Sequence, residues 1–171
     1  MKKDFEIEVL GLGIGTKRYP GAFTGPVKKV ILSLIESPSL NLFSGISTIG
    51  DVRIDNNPAL EEPTLKMDVF DFISVPAYTP WEWVILDPPY AQSTVGSGRY
   101  EKKYPDEIAI SHSVPKRRAL VAYFQKYARN VLWLDICAPL PKGFKRKKLW
   151  LFLPGGFRTT RVLSQLENTL I

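Results

Sequence analysis

Residues 84–90 read Val84-Ile85-Leu86-Asp87-Pro88-Pro89-Tyr90, and the architecture follows from them. Three apolar residues ending in a carboxylate predict a buried strand that delivers Asp87 to the edge of a sheet. The prolines then make a rigid tip. Each fixes its own φ and lacks an N–H, and Pro89 also pushes Pro88 out of helical geometry. A carboxylate, free backbone carbonyls and the aromatic face of Tyr90 are thereby held together.

Similar units lie upstream. Leu40-Asn41-Leu42-Phe43-Ser44-Gly45-Ile46-Ser47 predicts a strand running into a glycine turn. Val52-Arg53-Ile54-Asp55 and Thr64-Leu65-Lys66-Met67-Asp68 each predict a strand ending in an acid. Strand ends of Gly, Asp, Asp and Asp, in that order, are hard to produce as surface decoration. Only Thr48, Ile49 and Gly50 separate Ser47 from Asp51, too few residues for a helix. Either the first crossover is cut to a tight loop without its helix, or the second strand pairs differently.

The tip suits one chemical problem, methylation of a planar amino group. The lone pair of an exocyclic amine on a nucleobase is delocalised into the ring, so that nitrogen is a poor nucleophile. Two acceptors, Asp87 and the Pro88 carbonyl, can hold its two N–H groups and draw it towards tetrahedral geometry, while Tyr90 stacks on a flipped-out base. The work is orientation and electrostatics more than proton abstraction.

The tetrapeptide resembles the signature of the S-adenosylmethionine-dependent amino-group methyltransferases, Asp/Asn/Ser-Pro-Pro-Tyr/Phe after a strand. Chance places it in roughly one chain in a thousand of this length. The resemblance implies catalytic roles for Asp87, Pro88, Pro89 and Tyr90 and a Rossmann-like α/β class I methyltransferase sandwich. That fold has a mostly parallel sheet and a C-terminal antiparallel hairpin. The upstream turn is similar to the family's Phe-x-Gly-x-Gly cofactor loop: Phe43 and Gly45 match, and Ser47 replaces the second glycine. By the same resemblance Asp55 would bind the cofactor's ribose hydroxyls and Asp68 its adenine amino group. A loop-helix segment ahead of the glycine strand closes over the methionine tail in many relatives. Residues 15–36 look like that segment, with Thr16, Lys17 or Tyr19 as the contact and Val27, Val30, Ile31, Leu34 and Ile35 at helical spacing over 26–36.

A formal net charge of +6 favours a polyanionic partner. Arg99, Tyr100, Lys102, Lys103 and Tyr104 interleave cations with aromatics in the long segment after the tip, as phosphate neutralisation plus base stacking requires. Lys116, Arg117 and Arg118 open a predicted helix over 115–129, and Lys145-Arg146-Lys147-Lys148 lie before a late strand. Nucleic acid is the expected partner, DNA first and RNA second, with a homodimer or specificity subunit adding contacts. The expected reaction is methylation of the 6-amino group of adenine in DNA. The alternatives are an RNA guanine or adenine methyltransferase, and a non-catalytic nucleic-acid-binding subunit that keeps the fold.

At 171 residues the chain reads as one domain. It divides into an N-terminal closing segment (1–36), a cofactor and catalytic core (37–90), a substrate loop (91–114) and the second half of the sheet (115–171). No apolar run reaches the ~18 residues of a membrane span, and Met-Lys-Lys-Asp-Phe-Glu lacks the apolar stretch of a signal peptide. A cytoplasmic protein is the default expectation. The single cysteine, Cys137, follows the apolar run 131–136 and reads as an inert core residue. One cysteine and one histidine, His112, leave no disulfide framework and disfavour His-dependent triads and multi-histidine metal centres, so no metal is expected. Strands are predicted at 131–136 and 149–153, with 157–163 returning as an antiparallel edge strand.

Overall fold

A strand buried on both faces needs apolar residues without polar alternation, and Trp83-Val84-Ile85-Leu86 supplies them: all four are buried. They belong to β5 (Trp81–Leu86), the centre of the sheet. The computed structural model describes residues 5–12, 23–89, 110, 113–154 and 160–171. Among them eight strands form one sheet: β1 (Glu6–Gly11), β2 (Ser39–Leu42), β3 (Val52–Asp55), β4 (Leu65–Lys66), β5, β6 (Ala128–Asp135), β7 (Phe144–Leu153) and β8 (Arg161–Asn168). The order across the sheet is β1-β7-β8-β6-β5-β2-β3-β4. Only β8 runs against the rest, antiparallel to both β6 and β7. The fold is α/β with a mixed, mostly parallel sheet and an antiparallel pair at its C-terminus.

Helices cover both faces. On one, Val84, Leu86, Val131 and Trp133 pack under Leu120, Tyr123 and Phe124 of α3 (Val114–Tyr127) and Val69 of α2 (Val69–Ser74). On the other, Trp83, Ile85, Leu132 and Leu134 pack with Val27 and Ile31 of α1 (Gly25–Leu32). Successive strand residues thus serve opposite cores, the two-residue period of a pleated strand. No helix among the described residues is long and apolar enough to cross a membrane.

Several expectations are corrected. The helix predicted over 115–129 ends at Tyr127, and Ala128 opens β6 with no loop between. The buried Asn168 fastens this junction: its Nδ2 lies within hydrogen-bond distance of the carbonyls of Phe124, Gln125 and Ala128, at 3.1, 3.1 and 2.8 Å. The strand expected at 149–153 starts five residues earlier, so Lys145–Lys148 lie within β7 rather than before it. The C-terminal strand is antiparallel as expected, but it sits between β6 and β7, not at the edge, because β7 and β1 extend the sheet beyond it. Asp68 does not end a strand. Strand β4 stops at Lys66, and Asp68 caps α2, its Oδ1 accepting from Phe70 N–H at 2.7 Å. Cys137 is exposed, because β6 ends two residues before it. Strand β1 and helix α2 were not expected at all.

No helix joins β2 to β3. Side chains hold the 43–51 loop instead. The buried Asn41 donates through Nδ2 to Ile49 O at 3.0 Å and reaches Ser47 Oγ at 3.4 Å. Asp51 locks the strand starts together: its Oδ2 accepts from Ser39 N–H and Oγ at 2.7 and 2.8 Å, while its own N–H donates to Ser39 Oγ. Those hydrogen bonds hold its carboxyl below the usual range. Gly50, at φ +100°, turns where a Cβ would meet Asn41 Cβ at 3.1 Å.

Candidate active site

Strand direction places the predicted acids on one edge. Ile54, Leu42, Leu86 and Trp133 share a rung across β3, β2, β5 and β6. The residues that follow them, Asp55, Phe43 and Asp87, emerge together at the carboxyl ends, and Asp68 follows β4 on the same edge. The chain proceeds from β2 to β3 and β4 on one side and reaches β5 and β6 on the other. The sheet order therefore reverses between β2 and β5, a topological switch point, where open α/β sheets form their ligand crevice.

At that point the chain makes a left-handed turn, with Phe43 at φ 58° and Gly45 at φ 52°. Asp55, buried at the end of β3, braces it: Oδ2 accepts from Gly45 N–H at 2.8 Å and Oδ1 from Asn57 N–H at 3.0 Å. Ser47, the residue in place of the second glycine, turns its hydroxyl into the loop, where it accepts from Ile49 N–H at 3.2 Å. The Phe43 ring lies 6.5 Å from that of Phe70, and Lys116 Nζ sits 5.7 Å from the Phe70 centroid. Asp68 is exposed beside them.

Asp87 lies on the β5 side of the crevice with its side chain only 7% exposed, and its Oδ1 accepts from Nη2 of Arg161, the first residue of β8. Burial pushes the Asp87 carboxyl up to about 6, against the lowering influence of Arg161, and the negative charge of Asp135 adds to the rise. Asp135 ends β6 and is fully enclosed. Its Oδ2 accepts from Arg117 at 3.1 Å and from Trp133 Nε1 at 3.2 Å, and its Oδ1 from Ile136 N–H at 2.7 Å. The Arg117 guanidinium rests 5.3 Å from the Trp133 ring centroid. Each acid thus has its own arginine: Asp87 pairs with Arg161 and Asp135 with Arg117. Pro88 is buried, and the Pro89 carbonyl accepts from Ile110 N–H at 2.8 Å, which ties the tip to the core residue that closes the following segment.

The edge unites Phe43, Gly45, Asp55, Asp68, Asp87, Pro88 and Pro89 and brings Lys116 and Arg117 to it from α3. Thr16, Lys17, Tyr19, Tyr90, Arg99, Tyr100, Lys102, Lys103 and His112 lie outside the described residues. Arg118 is exposed on α3. Arg146 lies within β7, where its Nη2 donates to the carbonyls of Ala138 and Pro139 at 2.7 and 3.2 Å and its guanidinium lies 5.2 Å from the Phe5 ring centroid. Its neighbours Lys147 and Lys148 pair with Glu167 and with Glu6 and Glu8. Lys145 pairs in register with Glu167, level with Trp83 and four residues short of Asp87. At the rise of a strand this puts Lys145 roughly 13 Å below the edge, and Lys148, level with Ile85, roughly 7 Å below it.

Asp135 and Arg161 were missed by the sequence reading. Asp135 carries a signal: it ends a buried apolar run as Asp87 does. Arg161 carries none, since its partner lies 74 residues away. Among the described residues no group of His, Cys, Asp and Glu could hold a metal ion. The chain matches no protein-family model, and no curated protein matches it.

Proposed function

We propose that this chain transfers a methyl group from S-adenosylmethionine to a nucleobase amino group, with the 6-amino group of adenine in DNA as the first candidate. The observation that carries the reading is the juxtaposition of the Phe43–Gly45 turn and Asp87 on either side of the switch point.

The residues there fit such a cofactor. Gly45 leaves the turn without a side chain where a ligand's polar chain would pass. Phe43 and Phe70 offer an apolar wall to a flat ring. Asp68 has committed Oδ1 to the helix cap, and its exposed carboxylate retains acceptor sites for an amino group. Asp55 spends one lone pair of each oxygen on the loop and keeps others for hydroxyls. When bound, the cofactor supplies an electrophilic methyl on sulfur with a neutral thioether as leaving group.

The chain's own part follows from Asp87. Its carboxylate accepts one N–H of the target amine and the Pro88 carbonyl the other, so the nitrogen lone pair is turned towards the methyl. As the N–C bond forms the nitrogen must lose one proton, and a carboxyl titrating near 6 can hold it on Asp87 Oδ before passing it to water. Arg161 holds the carboxylate in place and favours its charged form. No covalent intermediate with the protein is needed, because the nucleophile is the amine nitrogen.

A second reading, a cofactor-free nucleic-acid-binding subunit, draws on Ser47, Asp55 and Asp87 all being engaged internally. Isothermal titration with S-adenosylmethionine decides between them: saturable binding supports the enzyme, and no detectable heat favours the subunit. Tritium transfer to DNA and RNA oligonucleotides then assigns the substrate.

A further inference from the structure

A groove of about 630 Å3 runs along the outer side of α3, between that helix and residues 137–142. We propose that it seats the nucleotide next to the target base, so that the substrate is a single-stranded or locally opened strand that leaves the active site along α3. The inference rests on the nucleobase-methylation reading and specifies how its substrate is held.

Place, shape and charge point the same way. The groove starts at the active edge, because Arg117 lines it and also pairs with Asp135, whose charge Asp87 feels. From Val114 it follows the helix to Gln125, about 16 Å at helical rise. Val121, Ala122, Trp133, Pro139 and Leu140 give it apolar faces, and the volume lies within the range of small-ligand sites. Among the described residues, every charged one that lines it is cationic: Arg117, Arg118 and Lys142. Asp135 answers Arg117, whereas neither Arg118 nor Lys142 has an ion pair among the described residues. Apolar walls with cations at the rim suit a base carrying its phosphate. The outer wall is preset, since Arg146 holds the carbonyls of Ala138 and Pro139, and Gln125 Nε2 donates to Lys142 O at 2.7 Å. A preformed wall lowers the ordering cost of binding.

The chain's single cysteine lies in this groove and is exposed, so it reports occupancy. The experiment follows alkylation of Cys137 by iodoacetamide, read by intact mass, while a labelled single-stranded DNA of about 12 nucleotides is titrated by anisotropy. An RNA of the same sequence is run in parallel. With the oligonucleotide at about ten times its Kd, roughly one chain in eleven is free, so alkylation should fall about tenfold. Ala122→Trp, an exposed helix position, fills the groove and should weaken binding at unchanged Tm. The pair Arg118→Gln and Lys142→Gln should reduce the salt slope by about 1.4, the share of two phosphate contacts on a single strand. Oligonucleotide bound with Cys137 alkylated at the free rate, or protection that survives Ala122→Trp, overturns the groove and leaves the methylation reading standing. Binding of neither DNA nor RNA removes that reading and the groove with it.

Discussion

At Asp87 two opposing influences meet: burial favours the neutral acid, and Arg161 favours the carboxylate. On the proposed reading the form that holds the amine is charged, so turnover should rise with pH through about 6 and level off above it. Arg161→Gln removes the lowering influence and should move this limb to higher pH, whereas Asp135→Asn removes a raising one and should move it lower; a pH–rate profile of each variant checks the signs. The stability sign is opposite. A carboxyl with a raised folded-state pKa binds its proton more tightly in the native state. Its contribution is present at acid pH and lost as pH rises from about 4 to about 6. The Tm of the wild type minus that of Asp87→Asn should therefore shrink across that window. Residues of this kind were legible where their signal is local. Asp87-Pro88-Pro89 announces itself, and Asp135 repeats the same strand-to-acid pattern. Arg161 was not legible, because an ion pair across 74 residues exists only once β8 has been threaded between β6 and β7.

The elements that could be read from sequence are those whose apolar pattern is self-sufficient, such as β5 and α3. Those that escaped depend on partners. Strand β1 carries Glu6 and Glu8 between its apolar residues and is held by Lys148 and Trp150 of β7, which donate to those carboxylates. Helix α2 has six residues, too few for a period to emerge, and stands on the Asp68 cap. The short β2–β3 connection was legible by counting residues, but its replacement of helix by the Asn41, Ser47 and Asp51 network was not. Asn168 tests this dependence on distant partners. Asn168→Ala should remove the side-chain donor that the carbonyls of Phe124, Gln125 and Ala128 share at the α3–β6 junction and cost about 1–3 kcal/mol in denaturant unfolding. Cofactor affinity should be unchanged, since the junction lies at the opposite edge of the sheet. A stability loss within error of zero would mean that the α3 terminus is set by local sequence instead.

For the whole molecule, the proposed reading uses the carboxyl edge of the sheet for cofactor and target base, and the described residues outside it are taken up by strands, helices and their connections. Residues 144–148 lie in β7 and 139–142 wall the α3 groove. Sequence readers usually place a dedicated element in the major groove. Purified protein is therefore expected to methylate with weak or very short sequence preference, and strong selection of one site of about six base pairs would contradict this. The central claim is that the switch-point crevice supports methyl transfer and that Asp87 orients the amine. Its most direct test is tritium transfer from labelled S-adenosylmethionine to DNA and RNA oligonucleotides by the wild type and Asp87→Ala, side by side at equal folded concentration. The account predicts incorporation at a base amino group by the wild type and a loss of about a hundred- to a thousandfold in Asp87→Ala, the usual effect of removing one oriented group that stabilises the transition state. Equal incorporation by both proteins, or none by the wild type on either nucleic acid, would contradict it.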